Sequence, residues 1–150
     1  YKQPGSYSYA ELFSVARKLR VSAKDAEELL RRLVFNIVAR NHDDHSKNFA
    51  FLLIDNKWQL SPAYDLAYSY KPGSKWVNSH WMSLNGKRDN FTRDDLYSLE
   101  TLVPSFTKPR INKIIDRTIE HVSSWRVLAK KNDVPDFLVK EIDSNLRLWI

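Results

Sequence analysis

A run of apolar residues at helical spacing constrains the fold of this chain most strongly, because it leads directly into a dense polar block. Between Ala26 and Val38 the apolar side chains recur every three or four positions, which predicts an amphipathic helix over about residues 23–40. Ser22 is a candidate N-cap for this helix, and Asp25 stands three positions later, close to a capping-box pattern. The polar block Asn41–Asn48 follows at once. The helix therefore delivers a concentrated set of polar side chains to one end of the fold.

The remaining pattern predicts a mainly α-helical domain with one small β-hairpin. Phe49–Ile54 has the composition of a buried strand, Asp55–Lys57 that of a turn, and Trp58–Leu60 that of the returning strand. Apolar spacing predicts helices over 8–20, 93–102 and about 108–129, a final helix from near Pro135 with Phe137, Leu138, Ile142 and Trp149 on its apolar side, and a short strand near 79–84. We expect the chemistry to lie between the packed helices and the hairpin.

Composition excludes several classes of protein. The 150 residues fit one domain, and 43% apolar residues are too many for a disordered chain. Without cysteine the chain has no disulfide framework and no thiolate metal site. No apolar run approaches the ~20 residues of a membrane helix and no signal peptide is visible, so we expect a cytoplasmic protein without a membrane partner. The net charge of +6 favours an anionic partner such as a phosphate, a nucleotide or a nucleic acid.

The polar block holds two His, two Asp, one Lys and two Asn, which suit two kinds of active site. In the first, His42 and His45 bind a transition metal with the neighbouring carboxylates, since a spacing of three puts both imidazoles on one face of a helix. In the second, the block serves phosphoryl transfer, which needs a carboxylate base and Mg²⁺ held by an Asn and an Asp. Asp43 and Asn48 have the D-x-x-x-x-N spacing of such a site, and Asp65 follows the hairpin as a second metal ligand. Antiparallel strands bring their outer ends together, so Asn48 and Asp65 are expected to converge.

Two stretches resemble the C-terminal kinase region of the HipA family, whose members are bacterial serine/threonine kinases that act as toxins of toxin–antitoxin modules. They are Asn41–Phe49, with a D-x-H-x-K-N core, and Leu60–Leu66, with a P-x-Y-D segment. Three further stretches resemble the same region: Val34–Asn36, Ser83–Lys87 and Asn90–Leu96. The resemblance implies a kinase-like C-lobe of the HipA C-terminal type over residues 1–150, with ATP and Mg²⁺ as cofactors and a role in bacterial persistence.

The resemblance also implies roles for five residues. Asp43 matches the catalytic aspartate of the family, the candidate general base, and His45 and Lys47 complete the catalytic set in the same loop. Asn48 and Asp65 match the two Mg²⁺ ligands. Together with Lys47 they are implied to bind the nucleotide at its phosphates.

Neighbouring residues are assigned to supporting positions. His42 and Asp44 are expected to support the catalytic loop, and Phe49 and Tyr64 to pack around the site. His80 stands in a sequence context that shows no relation to the polar block.

One part of a kinase is missing from this sequence. The family supplies a glycine-rich loop and a strand lysine from an N-terminal part, whereas the only glycines here are Gly5, Gly73 and Gly86. The first residue is Tyr1 rather than Met. We therefore expect a C-lobe fragment that folds but is inactive, or extremely weak, as a kinase on its own.

The resemblance implies a protein substrate and a HipB-like DNA-binding antitoxin as partners, with DNA contacted through the antitoxin. The residues leave two other functions open: a non-catalytic interaction module and a His/Asp metal-dependent phosphohydrolase. One basic group fits either a solvated helix face or a nucleic-acid contact, and it comprises Lys108, Arg110, Lys113 and Arg117.

Overall fold

The computed structural model describes residues 3–150, which form a mainly α-helical domain with one two-stranded hairpin, as predicted. The helices are α1 (Tyr9–Lys18), α2 (Ala23–Val38), α3 (Arg93–Tyr97), α4 (Lys108–Ser123), α5 (Trp125–Lys131) and α6 (Asp136–Asn145), the strands are β1 (Phe51–Ile54) and β2 (Lys57–Leu60), and two short 3₁₀ turns span Ser46–Asn48 and Ser98–Thr101. Within residues 3–150 no helix is both long enough and apolar enough to cross a membrane.

Helix α2 is the centre of the core and packs against α1 and α4. Its predicted apolar face is almost fully buried: Leu29, Leu30, Leu33, Val34 and Ile37. The N-cap prediction is also confirmed, because Ser22 Oγ accepts a hydrogen bond from the Asp25 main-chain N–H at 3.1 Å. The apolar periodicity therefore identified the element that organises the fold.

The end of α2 turns the chain into the polar block. Arg40 adopts a left-handed backbone with φ of 58°, which no α-helix tolerates, so the helix ends at Val38. The main-chain N–H of Asn41 then bonds the Asn36 carbonyl at 2.9 Å, the long bond of a Schellman motif. This hydrogen bond pairs a carbonyl group at the end of α2, and the same turn changes the direction of the chain sharply.

The hairpin has the predicted position, but the prediction that its first strand is buried is wrong. Phe51 pairs with Leu60, and a two-residue turn at Asp55 and Asn56 joins the strands, both residues having positive φ as a type I′ turn requires. The side chains of the apolar run are exposed by 42%, 56% and 44% at Leu52, Leu53 and Ile54. The reason is that a lone two-stranded sheet projects from the helices, and only its inner ends pack against the core.

The C-terminal half is more broken than its periodicity suggests. The helix predicted over about 108–129 is interrupted at Ser124, whose hydroxyl donates to the His121 carbonyl at 2.6 Å and competes with the helical pattern. The prediction for the final helix is also wrong in part: α6 ends at Asn145, before Trp149, and within it Phe137 is 67% exposed whereas Val139 is buried.

Two predicted elements are shorter than expected. The helix predicted over 93–102 consists of the five residues of α3 followed by a 3₁₀ turn. The segment 79–84 forms no strand in the described part of the chain, and Ser83 makes only an isolated bridge to Ser8. Leu84 makes a second isolated bridge, to Lys87, and single bridges to two different segments do not form a ladder.

Candidate active site

The polar block is held against the segment that follows the hairpin. Asn41 is buried, and its Nδ2 donates to Asn36 Oδ1 at 3.0 Å and toward the Asp65 carbonyl at 3.5 Å. The main-chain N–H of His42 bonds the Ser69 carbonyl at 3.1 Å. These bonds fix residues 65–69 beside residues 41–43, so the two loops flanking the hairpin form one surface.

Three side chains converge on that surface: Asp43, His45 and Asp65. One ligand atom from each lies within 4.8 Å of the other two. His45 Nε2 is 3.9 Å from Asp43 Oδ1. Asp65 has a φ of 53°, a conformation that its short polar side chain makes accessible. The structure thus brings together two of the three oxygen donors that the D-x-x-x-x-N pattern and the following aspartate predict.

The electrostatics of the cluster raise the pKa of the Asp43 carboxyl above its ordinary value. Partial burial is the main cause, and the negative charges of Asp65 and Asp44 act in the same direction, while His45 opposes them. A cation bound at this cluster would relieve the repulsion. The pair is therefore suited either to holding a metal ion or to taking up a proton.

Asn48 and Lys47 lie in the same loop as Asp43 and His45. Asn48 Nδ2 donates to the Asp43 carbonyl at 2.9 Å across the 3₁₀ turn, and this leaves Oδ1 as the acceptor end of the amide. Tyr64 donates through its hydroxyl to the Lys47 carbonyl at 2.7 Å. Tyr64, expected to pack at the site, is largely exposed and acts through this hydrogen bond, whereas Phe49 is buried and packs edge-on against Tyr9.

The donor set fits a hard divalent cation. The two carboxylates and the Asn48 amide oxygen are the ligand types that Mg²⁺ takes up, with water completing its shell. The His45 imidazole adds a donor that Zn²⁺ or another borderline metal accepts more readily. The residues present are therefore compatible with Mg²⁺ and do not exclude a transition metal.

The side chain of Asp44 is buried beneath the polar block, holds that block in place and makes no contact with solvent. Its Oδ2 accepts from the Tyr9 hydroxyl at 2.6 Å and lies 2.8 Å from His80 Nδ1, and its Oδ1 accepts from the Trp81 main-chain N–H at 2.7 Å. Asp44 thereby joins α1, the polar block and the segment at residues 80–82.

His80 is the residue that the sequence failed to identify. Its ring is fully buried, bonds Asp44 and lies 4.1 Å from the His42 ring, centroid to centroid. No local pattern marks it, because its partners stand more than 30 positions away in the chain. The only indication in the sequence is indirect, because a carboxylate such as Asp44 requires hydrogen-bond donors if it is buried.

His42 is a core residue and does not join His45 in a metal site. It is fully buried against Tyr70 and His80. Burial is the main cause that lowers the pKa of His42 to about 3, and the electrostatic interactions with His80 and Arg40 act in the same direction. The imidazole is therefore neutral at pH 7, and the hypothesis that His42 and His45 bind a metal ion together from one face is wrong.

A cavity of about 800 Å³ opens beside the cluster. Its walls are formed by Gln3, Ser6, Tyr7, Asp43, His45, Ser46, Lys47, Trp76, Val77, Trp81 and Met82. Asp43, His45 and Lys47 therefore face a space large enough for a bound molecule, whereas Asn48 and Asp65 stand outside its walls.

Comparison with known proteins points to one family. The model of the HipA-like C-terminal domain matches residues 1–126. A Sinorhizobium fredii protein named as a kinase, Y4mE, is 30% identical over 143 residues, which cover 89% of this chain and 33% of that protein. The serine/threonine-protein kinase toxin HipA of Shewanella oneidensis is 34% identical over 59 residues, which cover 39% of this chain and 14% of the toxin.

A solved structure has the same fold. A chain from the Shewanella oneidensis complex of HipA, HipB and operator DNA superposes with a TM-score of 0.72 at 19% identity, over 91% of this chain and 33% of that chain. The chain therefore spans about a third or less of the length of the relatives that it matches.

Proposed function

The chain belongs to the family of HipA-like C-terminal domains, and from this we propose that it is the C-lobe of a serine/threonine protein kinase that transfers the γ-phosphoryl group of ATP to a protein hydroxyl. Relatives named as kinases and as a kinase toxin support the reaction class. The observation that carries the proposal is the meeting of Asp43 and Asp65 from opposite sides of the hairpin, within one cluster of possible metal ligands.

Asp43 is assigned the role of general base. The acceptor oxygen forms a bond to the γ-phosphorus, the bond from that phosphorus to the bridging oxygen of ADP breaks, and the hydroxyl proton passes to the Asp43 carboxylate. Partial burial raises the pKa of Asp43, which favours proton uptake by this carboxylate over an ordinary exposed one. His45, 3.9 Å from Asp43, positions that carboxylate, and Lys47 supplies positive charge at the cavity wall.

Asn48 and Asp65 are assigned to the metal. Mg²⁺ supplies the positive charge that neutralises the phosphate oxygens of ATP. Both residues offer oxygen donors on the loops that flank the hairpin, and Asn48 is oriented by the hydrogen bond from its Nδ2 to the Asp43 carbonyl. Lys47, Asn48 and Asp65 together are then the contacts of this lobe with the nucleotide phosphates.

The rest of the nucleotide site is proposed to come from polypeptide outside these 150 residues. The sequence contains three glycines and no glycine-rich loop. The relatives are about three times as long as the segment they share with this chain, which leaves room for such a part. The 150-residue chain alone is expected to bind ATP poorly and to lack turnover.

A HipB-like DNA-binding antitoxin is the proposed macromolecular partner. The support is the neighbouring structure, in which HipA is assembled with HipB and operator DNA. DNA contact of this domain is proposed to be indirect, so the isolated chain is expected to leave operator DNA unretarded at low salt. Salt-sensitive binding by the chain alone would contradict indirect contact.

The metal assignment is tested with Mn²⁺ as a spectroscopic substitute for Mg²⁺. Binding to the 150-residue chain, followed by electron paramagnetic resonance, is expected to weaken by about tenfold or more in Asp65→Ala. Asp116→Ala is the matched control, because Asp116 is an exposed carboxylate paired only with Arg93. Equal Mn²⁺ affinities of the wild type and Asp65→Ala would refute the ligand role.

The catalytic assignment is tested in a full-length polypeptide that carries this domain. Asp43→Ala is expected to abolish ATP-dependent phosphorylation of protein hydroxyls without loss of the circular dichroism spectrum, because Asp43 lies on the surface of the loop rather than in the core. Phosphorylation by Asp43→Ala at the wild-type rate would defeat the assignment.

A metal-dependent phosphohydrolase is the second candidate function. The observation in its favour is His45, which adds an imidazole to the two carboxylates of the cluster. This function predicts a tightly bound transition metal after purification, and elemental analysis distinguishes it from a kinase lobe that binds Mg²⁺ weakly.

A further inference from the structure

We propose that the cavity beside Asp43 binds the acceptor segment of the protein substrate and selects a large apolar side chain next to the serine or threonine that is phosphorylated. This inference rests on the proposed kinase function and names the substrate class of the same site. The cavity is the space onto which the proposed base opens, and among residues 3–150 Asp43 is the one acidic residue in its walls. The proposed metal ligands Asn48 and Asp65 lie outside those walls, whereas the proposed phosphate contact Lys47 is part of them, so the acceptor side of the site meets the nucleotide side at Lys47.

Part of the cavity wall is apolar and aromatic. Trp76, Trp81, Val77 and Met82 contribute to it. The rings of Trp76 and Trp81 are stacked, with centroids 5.9 Å apart and planes 2° from parallel. Such a wall favours an apolar side chain, because hydrogen-bonding groups of a polar one would be left without partners.

The aromatic wall is rigidly coupled to the loop that carries the base. The Trp81 main-chain N–H donates to Asp44 Oδ1 at 2.7 Å and to the His42 carbonyl at 3.2 Å. The Trp81 ring also meets the edge of His45. An apolar side chain seated on Trp81 is therefore held at a defined position relative to Asp43.

Trp76 has the exposed side chain expected of a residue that contacts a bound peptide. Its side chain is 53% exposed although it stacks on Trp81, and Lys75 Nζ lies 5.0 Å from its ring centroid. Bound apolar surface would cover an indole that is otherwise left in water. Lys75 and the wall residue Lys47 also make this side of the site unfavourable for basic substrate segments.

A buried donor supplies an independent reason to expect a main chain here. Trp81 Nε1 is inaccessible to solvent and has no hydrogen-bond partner among residues 3–150. A peptide carbonyl bound at this wall would provide the missing acceptor, once the side chains around the indole adjust. An unpaired buried donor is costly, so its presence favours a site completed by a ligand.

The test compares two uncharged seven-residue peptides with a central serine, flanked on both sides by Phe in one and by Ala in the other. The 150-residue chain is expected to bind the Phe peptide about tenfold more tightly in calorimetric titrations, and Trp76→Ala is expected to lose about that factor. Trp149→Ala is the control, because Trp149 is also exposed but lies outside the cavity. Equal affinities for the two peptides, no saturable binding of either, or an unchanged affinity in Trp76→Ala would overturn the inference.

A second arm separates this inference from the proposed function. In a full-length polypeptide, Trp76→Ala is expected to raise KM for the Phe-flanked acceptor and to leave kcat nearly unchanged. If phosphorylation depends neither on Trp76 nor on the residues that flank the acceptor serine, the proposed pocket is refuted and the kinase function is retained. Trp76-dependent peptide binding without any phosphorylation would overturn the kinase function and leave the pocket standing.

Discussion

Replacing Asp44 by alanine is expected to destabilise the fold by about 3–5 kcal/mol, a large part of the stability of a typical domain. The Asp44 carboxyl is completely buried and receives three hydrogen bonds of 2.8 Å or less, from Tyr9, His80 and Trp81. Removal of the carboxyl affects the three donors to different extents, and these differences determine how much stability is lost.

Two of the donors lose their only acceptor. The Tyr9 hydroxyl and the His80 Nδ1–H are fully buried and face no other acceptor among the described residues, and each costs about 1–3 kcal/mol when unpaired. The Trp81 main-chain N–H retains the His42 carbonyl at 3.2 Å and so contributes less. The void left by the carboxyl adds a smaller amount.

Asp44→Asn is expected to cost only about 1–2 kcal/mol, because its amide can keep an oxygen toward the main-chain N–H of Trp81. The Tyr9 hydroxyl can rotate to accept from the amide nitrogen, and His80 can change tautomer. The order of stability is therefore wild type, then Asn, then Ala.

Urea unfolding followed by circular dichroism at pH 7 measures these differences. Asp116→Ala and Asp116→Asn are the controls, because Asp116 is 63% exposed in its ion pair and such pairs contribute about 0–1 kcal/mol. An Asp44→Ala variant within 1 kcal/mol of the wild type, or an Asn variant less stable than the Ala variant, would refute the reasoning. If the Ala variant does not fold, the Asn variant still provides the measurement.

Three further predictions concern other parts of the domain. Because burial lowers the pKa of His42 to about 3, this residue takes up a proton near pH 6.5 in the unfolded chain but stays neutral in the folded chain. The free energy of unfolding should therefore fall by about 1.4 kcal/mol per pH unit below pH 6. In urea unfolding at pH 4–7, His42→Gln should flatten this slope, and equal slopes for variant and wild type would contradict the prediction. Asp95 is buried and accepts a hydrogen bond from the Thr92 main-chain N–H at 2.8 Å at the start of α3. In thermal unfolding, Asp95→Ala should therefore lower the stability by about 2–3 kcal/mol, whereas Asp94→Ala, at an exposed position, should change it little. Similar losses of stability in the two variants would argue against this helix cap. Asn56 has a φ of 58°, so Asn56→Gly should stabilise the hairpin by about 0.5 kcal/mol, and a lower midpoint would disprove the turn assignment.

Features governed by local spacing could be predicted from the sequence. The period of α2 located its buried face, and the Asp55–Lys57 signal located the turn of the hairpin. The prediction that Asn48 and Asp65 converge followed from strand geometry, because a hairpin brings its outer ends together whatever its sequence. The structure places Asp65 with Asp43 and His45 of the polar block. The catalytic and metal roles of these residues stay predictions.

Features governed by distant partners could not be predicted. The apolar run Leu52–Ile54 indicates a strand but carries no information on whether another layer covers it. The periodicity of α4 continues through Ser124, so the break there depends on a side-chain hydrogen bond rather than on the apolar pattern. His80 acquires its role only when the chain folds back on Asp44.

The three-way junction at Asp44 also dictates the order in which the molecule can mature. Tyr9 and His80 stand 35 and 36 positions from Asp44, on either side of it in the chain. Closing both of these loops costs chain entropy before either contact returns any energy, which slows folding relative to local helix formation. During synthesis α1 and α2 can pair as soon as they emerge, but the hydrogen bonds of Asp44 beneath the loop with Asp43 are incomplete until residues 80 and 81 follow. The geometry of the candidate active site is therefore a late product of folding.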